Sequence, residues 1–305
     1  MDPIEGIKTN TDTTLLLMRE AYARGYRLHY YITEKLFMKN GEVCATTERL
    51  EFLDYQVNYY NLGIPETTNL NQMDVILMRQ DPPFDMNYIT STYLLEKLTN
   101  PVFVNHPTAV RNMPEKLFVC DFPDLMPPTL ISQDIELIHQ FQIEHKEVVL
   151  KPLYASAGQG IFYINEAADN LSSIVEFSLQ RYKAPLIVQK FIKEVFAGDK
   201  RVIMLCGEVL TVYNRLPKAG DFRANGAQGG SFAACSLSEY EIDMCKTIGA
   251  ELKKNGIIFA GLDIIGNYLT EVNVTSPTGL VLSNQLYNKK FEVEVWDRIL
   301  GEVNQ

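Results

Sequence analysis

Residues 261–279 read GLDIIGNYLTEVNVTSPTG, and the rest of the chain is read outward from them. Leu262 and Ile264 alternate with Asp263, while Tyr268, Val272 and Val274 alternate with Leu269, Glu271 and Asn273, the period of two that marks strands with one buried face. Gly266-Asn267 supplies the turn of a hairpin. Glu271 and Asn273 stand two apart and so leave the same face of their strand. Asp263 joins them on one condition. A plain two-residue turn pairs Asp263 with Thr270 and sends its carboxylate to the opposite face, whereas an odd-length loop or a single bulge reverses that. Three oxygen-bearing side chains on one sheet face, two of them acidic, suit a Mg2+ ion held together with substrate phosphates. A solvated polar face is the plain alternative.

The chain around this hairpin has 305 residues, room for roughly two domains of ordinary size, and its 46% hydrophobic and 22% charged residues are those of a globular protein. No unbroken apolar run approaches membrane-spanning length, so no membrane is expected. The opening MDPIEGIKTNTD has no basic segment leading into an apolar one, which makes it no secretory signal and makes the cytoplasm the expected location. The 5 cysteines fall singly, without the spacing of a zinc site or redox pair, and read as reduced thiols. The 4 histidines are equally scattered and suggest neither a metal site nor a triad. A net charge of -10 argues against nucleic acid as a partner, although a nucleotide needs only local lysines and arginines.

Thr11 or Asp12 caps a helix running to about Arg24 and stopped by Gly25, and YRLHYYI follows as a strand. A helix feeding a parallel strand normally has a strand before it, so an initial strand is expected ahead of Met1. MDVILM (73–78), a helix near Asn87 to Leu98 and the strand PVFVN make a strand-helix-strand unit of a small open parallel sheet. The ends of such strands, here Arg79 and Asp81, are where ligands bind. From about Asn112 the pattern changes. A helix around Pro114 to Asp121 carries Lys116, and a helix from Asp134 to Lys146 leads into the strand VVLK, which ends at Lys151. The loop of YASAGQGIFYI, with Gly158 and Gly160, runs into another strand, and a helix from Ala167 to Tyr182 precedes LIVQKFI. KRVIMLC and VLTVYNRL form an antiparallel hairpin about Gly207-Glu208. PKAGDFRANGAQGGSFAAC (217–235) is a candidate mobile loop, Ser238 and Glu241 form a capping box, and Leu286 to Val303 reads as one closing amphipathic helix.

Lys151 ends a buried-looking strand just before small residues whose backbone N–H groups can approach phosphates, although this is not the Walker pattern and a strand-end lysine also occurs on ordinary surfaces. Lys116 is the weaker of the two lysines. GDKRV places Lys200 and Arg201 at the mouth of an apolar strand, and Arg215 and Arg223 flank the glycine-rich loop; guanidinium groups grip carboxylate or phosphate in bidentate fashion. No serine or cysteine has a neighbouring histidine to activate it, so no covalent nucleophile is expected. Lysines for phosphates, acids and an asparagine for Mg2+, and arginines for an anion together suit nucleotide-driven chemistry.

The segments MDPI (1–4), ILMRQDPPFD (76–85), EKLF (115–118), VLKPL (149–153), GDKRV (198–202), GLDIIG (261–266) and TEVNVTSPTG (270–279) resemble, in order and over nearly the whole chain, the prokaryotic-type glutathione synthetases of the ATP-grasp ligase superfamily. The resemblance implies an α/β and α+β protein. An N-terminal substrate-binding domain with an open parallel sheet (1–111) would be followed by an ATP-grasp fold of two subdomains (112–192 and 193–305), the second carrying a lid at 217–235. It implies ATP held between two antiparallel sheets. Lys116, Lys151, Gly158 and Gly160 would lie toward its phosphates, and the strand Gln189, Lys190, Phe191 and Ile192 would meet adenine through its backbone. Asp263, Glu271 and Asn273 would hold Mg2+, with Mn2+ as a substitute.

By the same resemblance, ATP phosphorylates the cysteinyl carboxylate of γ-glutamylcysteine, and the amine of glycine displaces phosphate to give glutathione and ADP. Arg201 would stabilise the tetrahedral oxyanion, Arg223 and Asn225 would act from the lid, and Arg79, Arg215, Asn273, Ser276 and Thr278 would contact the peptide. A homotetramer or homodimer is implied as well. Two departures stand out: only two glycines remain in YASAGQG, and Leu280, Val281 and Leu282 stand where the family continues with Ile-Arg-Glu. A carboxylate-amine ligase with another substrate, and a nucleotide-binding module without catalysis, are the alternative readings.

Overall fold

The computed structural model describes residues 1–53, 59–155, 158–167, 169–224 and 229–303. In its first part α1 (Thr13–Ala23) leads to β1 (Leu28–Tyr30), β2 (Leu36–Lys39), β3 (Glu42–Phe52), β4 (Tyr60–Leu62) and β5 (Glu66–Asn69), followed by β6 (Val75–Leu77), α2 (Met86–Leu95), β7 (Val102–Val104) and α3 (Pro107–Asn112). The carboxylate of Asp12 accepts the Leu15 N–H at 2.7 Å and so starts α1, and Gly25, at φ +85°, follows its end.

The open parallel sheet expected here is narrower than the pattern suggests. Among the described residues, parallel pairing joins only β6 and β7, and β1 lies antiparallel to β3. The cause is β3, eleven residues long, which folds back on β2 through Asn40-Gly41, both at positive φ, and also pairs with β4 and β5.

The second part is a four-stranded antiparallel sheet in the order β10-β9-β11-β8. Its strands are β8 (Thr129–Ser132), β9 (Val148–Pro152), β10 (Phe162–Ile164) and β11 (Leu186–Lys190), and its helices are α4 (Ile135–His145) and α5 (Leu171–Tyr182). One face packs Val148, Leu150, Leu186 and Val188 against Ile138, Leu171 and Val175 of the helices. The other face presents Val149, Lys151 and Gln189 to a cavity. The helix expected around Pro114 to Asp121 is only a 3-10 turn over Phe118–Asp121, with Lys116 in the turn before it.

The third part is a five-stranded antiparallel sheet in the order β14-β13-β12-β15-β16. It comprises β12 (Asp199–Leu205), β13 (Glu208–Leu216), β14 (Ser231–Ala234), β15 (Phe259–Ile265) and β16 (Tyr268–Asn273), with helices α6 (Glu239–Lys254), α7 (Leu280–Tyr287) and α8 (Phe291–Val303). The turn between β12 and β13 falls on Cys206-Gly207, one residue earlier than expected, with both residues at positive φ. A Cβ at Gly207 would stand 2.6 Å from the Gly249 carbonyl oxygen of α6, so the turn needs glycine twice over. The predicted single closing helix is two: Asn288, at φ +50°, ends α7, and Asn284 accepts the Phe291 N–H at 3.0 Å as α8 begins. Residues 217–235 are not all loop, because β14 adds an edge strand to β13.

Alternation divides this sheet. Val202, Met204, Leu262, Ile264 and Val272 pack on Met244, Ile248 and Leu252 of α6. On the other face Ile203, Leu205 and Phe259 meet Leu17, Val295 and Trp296, and the rest of that face carries charge. Asn105, at the exit of β7, ties the first part to this sheet. Its amide donates to the Phe259 and Val274 carbonyls, both at 2.7 Å, and accepts the Ile258 and Phe259 N–H groups at 2.9 and 2.8 Å. The four bonds use its full capacity.

Candidate active site

The 261–279 hairpin contains the bulge on which the placing of Asp263 depends. Ile265 pairs with Tyr268 and Ile264 with Leu269, and then the register shifts so that Asp263 stands opposite Glu271, leaving Thr270 as the extra residue. Asp263, Glu271 and Asn273 therefore share a face. Across four strands, Tyr213, Arg201, Asp263 and Glu271 are successive partners in one row, with Asp199 opposite Arg215 and Gly261 opposite Asn273 in the rows beside it. Gly261 is small for a reason: a Cβ there would come within 2.9 Å of an Arg201 guanidinium nitrogen.

The charges of this face are interlocked. Arg201 reaches both carboxylate oxygens of Asp263, at 2.6 and 3.1 Å, and Nη2 of Arg215 lies 2.5 Å from Asp199 and 3.0 Å from Asp263. Desolvation pushes the Asp263 carboxyl up, but the two guanidinium groups outweigh it and hold its pKa below the usual range. Asp199, desolvated and beside Asp263 with Arg215 as its main counterion, is instead pushed up to about 6. Alternation from Arg201 along β12 points to Asp199, and from Arg215 along β13 to buried Tyr213, two members of this face that the motif reading passed over. Lys200, between Asp199 and Arg201, turns to the other face and pairs with Glu241 of α6 at 2.7 Å.

The opposite wall comes from the second part of the chain. Carbonyls of Glu115 and Leu125 accept the outer N–H groups of Val272 and Leu269, which lays residues 115–125 along β16. That holds the Lys116 ammonium 3.6 Å from Glu271 and 2.8 Å from the Ala155 carbonyl. Lys151 donates to Gln189 at 3.0 Å, a diagonal contact between β9 and β11, and burial lowers its pKa. Glu115, also unread in the sequence, accepts from Thr275 at 2.9 Å, and its carboxyl is pushed up by burial and by Glu271.

A cavity of about 870 Å³ opens between the two walls. Of the residues expected in the site, Lys116, Lys151, Gly158, Gln189, Lys190, Phe191, Ile192, Arg201, Arg215, Arg223, Asp263, Glu271, Asn273, Ser276 and Thr278 line it. The N–H groups of Lys190 and Phe191 are already bonded to the Pro128 and Glu147 carbonyls. Arg223 is folded onto Asp221 at 2.8 Å.

Two expectations are corrected. Gly160 does not line the cavity; its φ of +68° and the Tyr182 hydroxyl, 2.3 Å from where a Cβ would be, make it a packing glycine. Arg79 lies behind the wall, 4% exposed, donating to Thr14 at 3.1 Å and to the Pro277 carbonyl at 2.9 Å. It braces the TSPTG segment from the rear. Asn225 falls outside the described residues.

The side chains fit a Mg2+ ion. Two carboxylates and an amide converge, with Asn273 Nδ2 3.5 Å from Asp263 Oδ2, and Glu271 keeps part of its carboxylate open to the cavity. Asp263 Oδ1 is buried and, although 2.6 Å from Arg201 Nε, is not aligned with it for a hydrogen bond. Hard oxygen donors of this kind are what Mg2+ takes alongside phosphate.

Two antiparallel sheets facing each other over a cavity, lysines on one wall and acids with arginines on the other, define an ATP-grasp ligase. The fold is shared with the macrocyclase MdnC of Microcystis aeruginosa in complex with its precursor peptide (TM-score 0.64, 13% identity, 97% of each chain). It is shared also with the D-alanine–D-alanine ligase of Bacillus anthracis (TM-score 0.53, 16% identity, 70% of this chain and 74% of that one). Residues 1–111 match the model of the prokaryotic glutathione synthetase N-terminal domain, and residues 115–288 that of the prokaryotic glutathione synthetase ATP-grasp domain. A glutathione synthetase of Brucella melitensis is 43% identical over 300 residues, 98% of this chain and 96% of that protein, and one of Yersinia pestis is 41% identical over 281 residues, 91% and 88%. The chain belongs to the prokaryotic glutathione synthetase family.

Proposed function

We propose that the chain joins γ-glutamylcysteine to glycine at the expense of ATP, in a Mg2+-dependent reaction that yields glutathione, ADP and phosphate. The observation that carries this reading is the row Arg201–Asp263–Glu271, with Asn273 beside it, facing Lys116 and Lys151 across one cavity. Lys116 and Lys151 take the phosphates of ATP, and the strand 189–192 and Gly158 border the nucleotide. Asp263, Glu271 and Asn273 would hold Mg2+, which would supply charge neutralisation for the phosphates.

The cysteinyl carboxylate oxygen attacks the γ-phosphorus, ADP leaves, and the glycine nitrogen then attacks the acyl carbon and expels phosphate. Arg201 and Arg215 are fixed before the reaction by Asp263 and Asp199, so their guanidinium groups meet the developing oxyanion without reorganising. Arg223, on the cavity wall, helps shield the acyl phosphate from water. Ser276 and Thr278 contact the peptide.

The division into 1–111, 112–192 and 193–305 is supported by the separate sheets of each segment. Among the described residues no helix is long and apolar enough to cross a membrane, and we place the reaction in the cytoplasm. The working particle is a homotetramer or homodimer, to be measured by sedimentation.

The test is ADP release with ATP, Mg2+, γ-glutamylcysteine and glycine, omitting each in turn. Turnover that needs all four supports the reading. Turnover with another acceptor in place of glycine, or nucleotide binding with no turnover, overturns it. Leu282, an apolar side chain on the cavity wall, is the reason to include other acceptors.

A further inference from the structure

One part of the cavity wall lies outside the groups assigned above to phosphate and Mg2+. It consists of Lys8, Asp81, Ser276, Thr278 and Leu282, contributed by the loop before α1, the loop after β6, the segment leading into α7 and the first turn of α7. The carboxylate of Asp81 is exposed to the cavity, and its pKa is raised by partial desolvation there, with Asp2 and Asp12 adding to the rise and Arg79 opposing it. Its side chain accepts a hydrogen bond from Ser276, and its backbone N–H donates to Asp2 at 2.8 Å. The nearest cation in the same chain segment, Arg79, spends its guanidinium on Thr14 and the Pro277 carbonyl. Among the described residues no lysine or arginine forms an ion pair with Asp81, and Lys8 forms none with any acid. An exposed acid and an exposed lysine on the same cavity wall, neither of them in an ion pair among the described residues, are complementary to a ligand that brings one charge of each sign.

We propose that Asp81 and Lys8 recognise the free amino acid end of the γ-glutamyl group, Asp81 pairing with its α-ammonium and Lys8 with its α-carboxylate. The inference rests on the reading of the substrate given above. It fits the direction in which that substrate must lie. The reacting carboxylate of γ-glutamylcysteine belongs at the phosphate end with Arg201, and the γ-linked side chain then carries the zwitterion away from it, toward Asp81. An ordinary α-peptide of the same two residues has its ammonium on Cα beside the peptide bond and its free carboxylate at the end of the side chain, so it cannot present both charges on one carbon at that place. Asp81 and Lys8 would then be what selects the γ linkage.

The test compares γ-glutamylcysteine with two analogues: glutarylcysteine, which lacks only the α-ammonium, and 4-aminobutanoylcysteine, which lacks only the α-carboxylate. ADP release is followed at saturating ATP, Mg2+ and glycine. The wild-type enzyme should use glutarylcysteine at a kcat/KM lower by about tenfold or more, since the charge pair with the α-ammonium is lost. Asp81→Asn should lose activity on γ-glutamylcysteine chiefly through KM, keep its KM for ATP within about twofold, and erase most of the discrimination against glutarylcysteine. Lys8→Gln should do the same for 4-aminobutanoylcysteine alone.

Equal use of all three substrates by the wild type overturns the inference while leaving the proposed reaction standing, and that comparison needs no variant to fold. So does an Asp81→Asn enzyme equally damaged on both substrates. A wild type inactive on γ-glutamylcysteine itself overturns the reaction and the inference together.

Discussion

Glu271 and Asp199 show what a single carboxylate contributes from each side of the charged row. Glu271 is half-buried at the cavity, and among the described residues its one ion pair is the 3.6 Å contact to Lys116, so Glu271→Gln should lower kcat/KM by about 10²–10³-fold and shift the melting temperature by no more than about 2 °C. Steady-state kinetics and calorimetry on the same sample check both parts. Asp199 has a folded-state pKa pushed up to about 6 against an ordinary 3.8, so the folded state takes up its proton before the unfolded chain does. Its contribution to stability is therefore complete below about pH 4 and is lost as pH rises through about 6. Urea midpoints at pH 6.5, 5.5 and 4.5 should rise less steeply toward acid in Asp199→Asn than in the wild type.

Glu271 was legible from spacing and Asp199 was not. An acid two residues before an arginine on a strand becomes part of a site only when both neighbouring strands bring charge to the same face, and single-strand alternation does not contain that. Arg79 was misread for the converse reason: it ends a strand of the kind that presents ligands, but Pro277 and Thr14 close over it.

At the scale of elements, local signals held wherever they were complete within a few residues. The Ser238–Glu241 capping box is formed in both directions at the start of α6, and Asp12, Asp85 and Asp134 cap their helices as their chemistry dictates. Ser238→Ala should cost about 1 kcal/mol in urea unfolding and leave kcat and KM unchanged, because the cap lies on the α6 side of the sheet, away from the cavity. Signals that depend on one residue's φ failed. Residues 286–303 have the apolar period of one helix, and only the left-handed Asn288 breaks it. Asn40-Gly41 was a readable hairpin turn, and with it the antiparallel β2 and β3 could have been anticipated.

For the whole molecule, the order of sheets followed from the resemblance, whereas the manner in which the first part is held to the third did not. That depends on Asn105, four hydrogen bonds to residues more than 150 positions away, and no local pattern announces it. Asn105→Ala strands four backbone groups and should cost about 3 kcal/mol or more. Denaturation followed by the fluorescence of Trp296, a residue of α8 packed on Leu17 of α1, against far-ultraviolet dichroism should report it, with the two transitions still coincident if the parts unfold together.

The bulge at Thr270 has a consequence in terms of counting. Seven residues separate Asp263 from Glu271, an odd number, and an odd number can face two side chains across a two-residue turn only by leaving one residue unpaired. Six would do so with an unbroken ladder. The hairpin thus carries one residue of slack, and the alignment of its ligands does not require it. A chain shortened by deletion of Thr270 should keep Asp263 opposite Glu271 and hold Mn2+ in the presence of ADP within about tenfold of the wild-type affinity, measured by electron paramagnetic resonance. Whatever activity that shortened chain loses is then the share of catalysis owed to the kink and to the Thr270 hydroxyl, which donates to the Asp263 carbonyl at 3.1 Å.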